Sequence, residues 1–333
     1  MSNWLKTAAA SHKAMPILCF PGIQLTGMSV QELVLDGGKQ AACMKALAER
    51  YDVLASVSLM DLSVEAEAFG SPVRFSDDEV PTVTGALISN LENMASLRIP
   101  EIGAARTGEY ISSAREAVKT ITNTPVLAGT IGPFSLAGRM MDMTEIMLLC
   151  YDEPELVHSV LEKATLFLID YNTQFREAGV NGILMAEPAA GLLSPALIEE
   201  FSTPYVRRIL RAVETENCKY IYHNCGNTIP LAGSIIKTGA SALHFGNAVN
   251  MAKILPLIPH DRIVFGNIDP VGQFRNGTPE SVRVATLDLL NRCAQYPNFV
   301  ISSGCDIPPA SPIANIDAFF EAVADFWTSA AVA

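Results

Sequence analysis

No run of eighteen apolar residues occurs in the 333-residue chain, so no membrane-spanning helix is expected. The first residues show no basic segment followed by a long apolar stretch, and no secretory signal is expected. Charge is scarce, at 17% of residues, and positive charge scarcer: 23 Lys and Arg stand against 35 Asp and Glu, a formal net charge of -12. That balance excludes the basic footprint of a nucleic-acid or anionic-membrane surface. No Gly-x-Gly-x-x-Gly follows an early apolar run, which argues against a dinucleotide site. Low-complexity linkers, heptads and short-period repeats are also missing. The seven cysteines, at 19, 43, 150, 218, 225, 293 and 305, are odd in number and scattered, unlike a disulfide framework. They suit a reducing cytoplasm, where thiolates stay free to bind metal.

What is present is apolar: 49% of residues are hydrophobic, enough for a large packed core. Short apolar runs at 16–20, 53–59, Val126–Ile131, Gly182–Ala186, 219–223, Ala242–Phe245, 263–266 and Phe299–Ser303 lack clean polar alternation. This is the pattern of strands buried on both faces of a parallel sheet. Amphipathic helices are predicted between them. One spans 29–50, with Ser29 and Glu32 as a capping box. Others span 154–178 and 195–214, opened by Pro154 and by Ser194-Pro195, then 278–294 and 312–330. Eight strands interleaved with helices predict a single (β/α)8 barrel domain over 1–333, with an irregular insertion near 70–108. A doubly wound open sheet is the alternative.

Catalytic groups in such barrels project from the C-terminal strand ends. His223 ends one predicted strand and Cys225 follows it; Cys305 follows the last strand. Imidazole and thiolate are zinc ligands, and a set of three leaves a position open for chemistry. Glu187, Asn247 and Asp269 stand at or after three other strand ends, and Asp61, Glu65 and Glu67 follow the second strand. His244, alone in an apolar strand, reads as a satisfied core residue. Met140, Met141 and Met143 lie near Arg139 as candidates for a pocket wall or plain packing.

Several segments together resemble the uroporphyrinogen decarboxylase superfamily, in its corrinoid-dependent methyltransferase branch. They are Val64-Glu65-Ala66-Glu67-Ala68-Phe69-Gly70, Gly132-Pro133-Phe134-Ser135-Leu136-Ala137-Gly138, and Leu193-Ser194-Pro195 with Phe201-Ser202-Thr203-Pro204-Tyr205. The others are His223-Asn224-Cys225-Gly226-Asn227-Thr228, Gly266-Asn267-Ile268-Asp269-Pro270 and Ser303-Gly304-Cys305-Asp306-Ile307-Pro308. The resemblance implies a (β/α)8 barrel with a zinc ion on His223, Cys225 and Cys305. It implies methyl transfer from a methylcobamide, carried by a separate corrinoid protein, to a zinc-held thiol such as coenzyme M, or to tetrahydrofolate. Asn247 stands where related enzymes place a carboxylate ligand, so the fourth ligand is expected to be water, Glu187 or a substrate atom. Asp61 matches a position that the decarboxylases use for pyrrole nitrogens. Glu187, Asn247 and Asp61 are thus the catalytic candidates, and Met140 and Asp269 the cofactor-binding ones. Two alternatives remain, a decarboxylase and a barrel with structural zinc. The decarboxylases grip a polycarboxylate with arginines in an early loop, whereas here no arginine precedes Arg50, which ranks that reading second.

Overall fold

The structure, a computed structural model, describes residues 4–330. Seven strands form one parallel sheet in sequential order: β1 (Ser56–Val57), β2 (Val126–Ile131), β3 (Gly182–Ala186), β4 (Lys219–Asn224), β5 (Ala242–Phe245), β6 (Ile263–Ile268) and β7 (Phe299–Ser303). The sheet curls. Its inner residues Val57, Leu127, Leu184, Ile221, Ala242, Phe265 and Val300 form one apolar cluster that includes both ends of the sheet. Their strand neighbours, among them Val126, Ile183, Tyr220, Leu243, Val264 and Ile301, join the larger cluster with the surrounding helices. The two faces thus follow the two-residue period of the strands. Trp4, Leu5 and Ala8 belong to the inner cluster, and the Trp4 indole donates to the Asn181 carbonyl at 3.1 Å, just ahead of β3.

The predicted strand 16–20 is corrected. Residues 20–22 form a 3-10 turn with Pro21 at its start. The chain just before them is hydrogen-bonded on both sides instead: Leu54 N–H donates to the Ala14 carbonyl at 2.8 Å, and Met15 N–H to the Ile301 carbonyl at 3.0 Å. Segment 14–17 therefore lies between the chain leading into β1 and the last strand, without a full ladder on either side. β1 itself is two residues long rather than the seven of 53–59.

The predicted helix 29–50 divides into Val30–Val34, opened by the Ser29–Glu32 capping box, and Gly37–Arg50, N-capped by Asp36. Gly37 packs so closely on the Glu109 carbonyl that a Cβ there would sit 2.4 Å from it. The predicted helix 195–214 breaks at Ser202 into Pro195–Phe201 and Thr203–Val213. The insertion holds a hairpin, Val73–Arg74 against Thr82–Val83, and a helix, Leu91–Ser96. Among the described residues, no helix is long and apolar enough to cross a membrane.

Candidate metal centre

The inward period of β4 and β5 places His223 and His244 on the same face as Ile221 and Ala242, one layer nearer the C-terminal end. The strands pair His223 with His244 in register. Cys225 is the first residue past β4, and Cys305 lies two past β7. The three expected ligands meet. His223 Nε2 is 3.0 Å from Cys225 Sγ and 3.7 Å from Cys305 Sγ, and the sulfurs are 3.9 Å apart. Among the described residues, no carboxylate oxygen joins this group.

Zinc at its usual distances, about 2.3 Å from sulfur and about 2.0 Å from nitrogen, spaces tetrahedral ligands roughly 3.8 Å (S to S) and roughly 3.5 Å (N to S) apart. Two separations match, and the third needs to open by roughly half an ångström. The donor set and its spacing therefore fit a zinc ion. His223 is 1% exposed, whereas both cysteines are half-buried, so the imidazole forms the floor and the thiols the rim. The hydrogen bond between the thiols, helped by burial, pushes Cys305 up to about 12, while the same contact lowers Cys225. A divalent cation among them would strip both thiol protons.

Glycines allow this packing. A Cβ on Gly191 would lie 2.0 Å from the Cys225 carbonyl oxygen, and one on Gly246 would lie 3.0 Å from the Cys225 Cα. Gly226 takes φ +84°, a conformation that glycine adopts without strain.

The other expected site residues are placed differently. Glu187 is fully buried right after β3, and its oxygens accept from Phe134 N–H at 3.1 Å and Ser135 N–H at 2.5 Å. It thereby anchors the N-terminus of the helix Pro133–Met141, where the dipole favours an acid. Burial nevertheless pushes it up to about 7. Both oxygens are committed to the helix, and the carboxylate stands outside the ligand group. Asn247 is exposed, beyond the end of β5. Its loop packs on Gly304, whose Cβ would sit 2.6 Å from Asn247 N, so it belongs to the rim beside Cys305. Asp61 is held by Arg106 Nη1 at 2.5 Å and by the Tyr110 hydroxyl at 2.9 Å. Met140 is fully buried in the core, and its carbonyl accepts from Leu87 and Ile88 N–H. Asp269 caps the turn Pro270–Arg275 by accepting from Val271 and Gly272 N–H at 3.0 and 2.9 Å.

Sequence reasoning missed His244 and Arg106 as partners of site residues. His244 is buried with both nitrogens satisfied, as expected, but it is not alone: its Nδ1 lies 2.7 Å from His223 Nδ1 and its Nε2 2.9 Å from Ser302 Oγ. The shared inward period of the two histidines was the available signal.

Glu65 is a second buried acid. Its Oε1 accepts from Thr130 Oγ1 at 3.0 Å and Ile131 N–H at 3.1 Å, while its Oε2 is buried without a partner. Burial raises it from 4.5 to about 7. The folded protein thus holds a proton here that the unfolded chain releases, so this contribution to stability is present below 4.5 and lost as pH rises through about 7. The loss approaches about 3 kcal/mol. Glu65→Gln is expected to match the native protein near pH 4.5 and to exceed it by about 2–3 kcal/mol at pH 8. Urea unfolding at both pH values checks this; an equal difference at the two would rule it out.

The uroporphyrinogen decarboxylase (URO-D) family matches residues 11–326. The chain belongs to this family. A methylcobamide:CoM methyltransferase of Methanosarcina acetivorans is 26% identical over 326 residues, 94% of this chain and 93% of that protein. A uroporphyrinogen decarboxylase of Coxiella burnetii is 25% identical over 83% of this chain and 78% of its own. A solved methyltransferase from Methanosarcina mazei superposes with a TM-score of 0.87 at 20% identity, covering 98% of both chains; at that identity it speaks for the fold. The family resemblance read from the sequence is borne out, and the curated relatives include both methyltransferases and decarboxylases.

Proposed function

We propose that this URO-D member moves a methyl group from a methylated corrinoid on a partner protein to a small anionic thiol of the coenzyme M class. The observation that carries this is the three-ligand centre, two thiols and one imidazole with no carboxylate in the group. Such a centre leaves one position for an exogenous sulfur. Zinc, when bound, would supply a thiolate at neutral pH from a thiol that is otherwise mostly protonated. The thiolate sulfur takes the methyl carbon, and the electron pair of the breaking carbon–cobalt bond stays on cobalt. The chain's own residues position the reactants and hold charge.

Arg139 supports an anionic acceptor. It lies on the helix Pro133–Met141, which leaves the C-terminal end of β2. It makes no ion pair among the described residues; burial pulls its guanidinium down from its ordinary value, and the Asp61 carboxylate, already paired with Arg106, offsets this only in part. A half-buried cation of this kind calls for an anionic partner. The decarboxylase reading lacks its early cations: Gln24 in that loop donates to the Pro309 and Ser311 carbonyls at 2.9 and 2.7 Å. The eight-stranded barrel is supported by segment 14–17, bonded on both sides between β1 and β7. The seven free cysteines suit a reducing cytoplasm.

The test is demethylation of methylcobalamin by the zinc-loaded protein. Coenzyme M is expected to be methylated, 2-mercaptoethanol only weakly, and tetrahydrofolate not at all. Arg139→Gln should raise KM for the sulfonate thiol by roughly ten- to a hundredfold, the worth of a charge-assisted contact, and leave the neutral thiol unchanged. Equal rates with both thiols in the native protein would remove the anionic acceptor. No demethylation with any of the three would overturn the methyltransferase reading in favour of its alternatives, a barrel with structural zinc or a decarboxylase.

A further inference from the structure

Ser302 Oγ lies 2.6 Å from the Met15 carbonyl oxygen. A carbonyl only accepts, so the serine proton points there. His244 Nε2 lies 2.9 Å from the same Oγ, and with that proton committed, Oγ can only accept from it. Nε2 of His244 therefore carries a proton. His244 is 0% exposed. Its ring stacks on Phe265 at 6.4 Å and meets His223 edge-on at 4.7 Å, and among the described residues no acidic group contacts it. A neutral ring with Nε2 protonated has a bare Nδ1. That lone pair lies 2.7 Å from His223 Nδ1, which must then donate. Neutral His223 is left with its lone pair on Nε2, the atom 3.0 Å from Cys225 Sγ and 3.7 Å from Cys305 Sγ.

We propose that His244 and Ser302 are positioning residues: the chain from the Met15 carbonyl through Ser302 and His244 fixes the His223 tautomer, so that Nε2 faces the metal as a bare donor. The inference rests on reading His223 as a zinc ligand. The backbone sets the polarity. Met15 belongs to the segment that joins the two ends of the sheet, so closure of the sheet and preparation of the ligand are one arrangement. A reversed relay would aim an N–H at the two sulfurs and could not ligate. Groups that orient a metal-bound imidazole in this way are worth roughly ten- to a hundredfold in metal affinity.

Two measurements separate the relay from the metal reading. Imidazole nitrogen-15 spectra of the metal-free protein, assigned with His223→Gln and His244→Asn, report which nitrogens carry protons. The expected result is Nδ1–H on His223 and Nε2–H on His244; the opposite tautomer on His223 overturns the proposal. Zinc affinity by chelator competition is the second. Ser302→Ala orphans the His244 N–H and should weaken zinc by roughly ten- to a hundredfold. His244→Phe should do the same, whereas His244→Asn, whose amide oxygen replaces Nδ1 as acceptor, should stay within a few-fold of the native protein. Ser303→Ala is the control: its hydroxyl accepts from Ile17 N–H at 2.9 Å, outside the relay, although it stands nearer Cys305 in sequence. Equal losses in Ser302→Ala and Ser303→Ala, or none in Ser302→Ala, would overturn the relay. If the native protein takes up no zinc, the metal reading falls, and the nitrogen-15 spectrum still decides the tautomer.

Discussion

Replacing Cys305 by alanine is expected to weaken zinc binding by roughly two to four powers of ten. Zinc sites of this donor type bind with about 10–16 kcal/mol; shared over three or four ligands, that is roughly 3–5 kcal/mol for each. Cys305 contributes a full share, because its sulfur lies 3.7 Å from His223 Nε2 and 3.9 Å from Cys225 Sγ, as tetrahedral ligands do. The remaining pair, an imidazole and one thiol, has no carboxylate beside it to fill the gap among the described residues. Metal-free stability should change little, since Cys305 is half-buried and lies past the end of β7. Cys305→Ser is expected to resemble alanine in affinity, the hydroxyl being a far harder and less acidic donor than a thiol. Metal content after dialysis against a chelator reads the loss, and methylcobalamin turnover should disappear with it. One tightly held zinc per chain in Cys305→Ala would remove Cys305 from the centre.

The meeting of His223, Cys225 and Cys305 is legible in the sequence for a topological reason. Residues at the C-terminal ends of parallel strands converge whatever the loops between them do. β2 to β7 are legible because strands buried on both faces read as uninterrupted apolar runs. The same signal fails at 16–20, where Pro16 to Phe20 is apolar because it is buried, not because it forms a ladder. Pro21 turns the chain there, and only hydrogen bonds to Leu54 and Ile301 reveal the extended segment before it. The break at 35–37 is written in Asp36-Gly37-Gly38, an N-cap followed by glycines, yet the apolar period on either side masks it. The partners of Glu187 and Asp61 are not legible locally. An acid after a strand reads as catalytic, and whether it caps a helix or pairs with an arginine depends on residues 52 and 45 positions away. His244 needed the register of β4 against β5, which no single strand contains.

Arg106→Ala is expected to destabilise the fold by about 3–5 kcal/mol, the usual cost of leaving a buried charge without its partner. Arg106 is 5% exposed. Its Nη1 binds Asp61 at 2.5 Å, its Nε binds Glu67 at 2.6 Å, and its Nη2 donates to Ser63 Oγ at 2.8 Å. Its guanidinium also lies 4.9 Å from the centre of the Phe75 ring. One side chain thus ties the loop after β1 to the helix Thr107–Thr120 and to the insertion hairpin. With alanine there, Asp61, fully buried, would keep only the Tyr110 hydroxyl and Ser63. Lysine cannot reproduce three divergent N–H contacts, so Arg106→Lys should recover less than half of the loss. Removing both charges, in Arg106→Leu with Asp61→Leu, should be milder than Arg106→Ala alone, because no buried ion is left unpaired. Urea midpoints of the four proteins order these effects. A change below about 1 kcal/mol in Arg106→Ala, the range of an exposed ion pair, would show that water reaches Asp61. The acid would then be free to face a substrate, which is the role that its position after β1 first suggested.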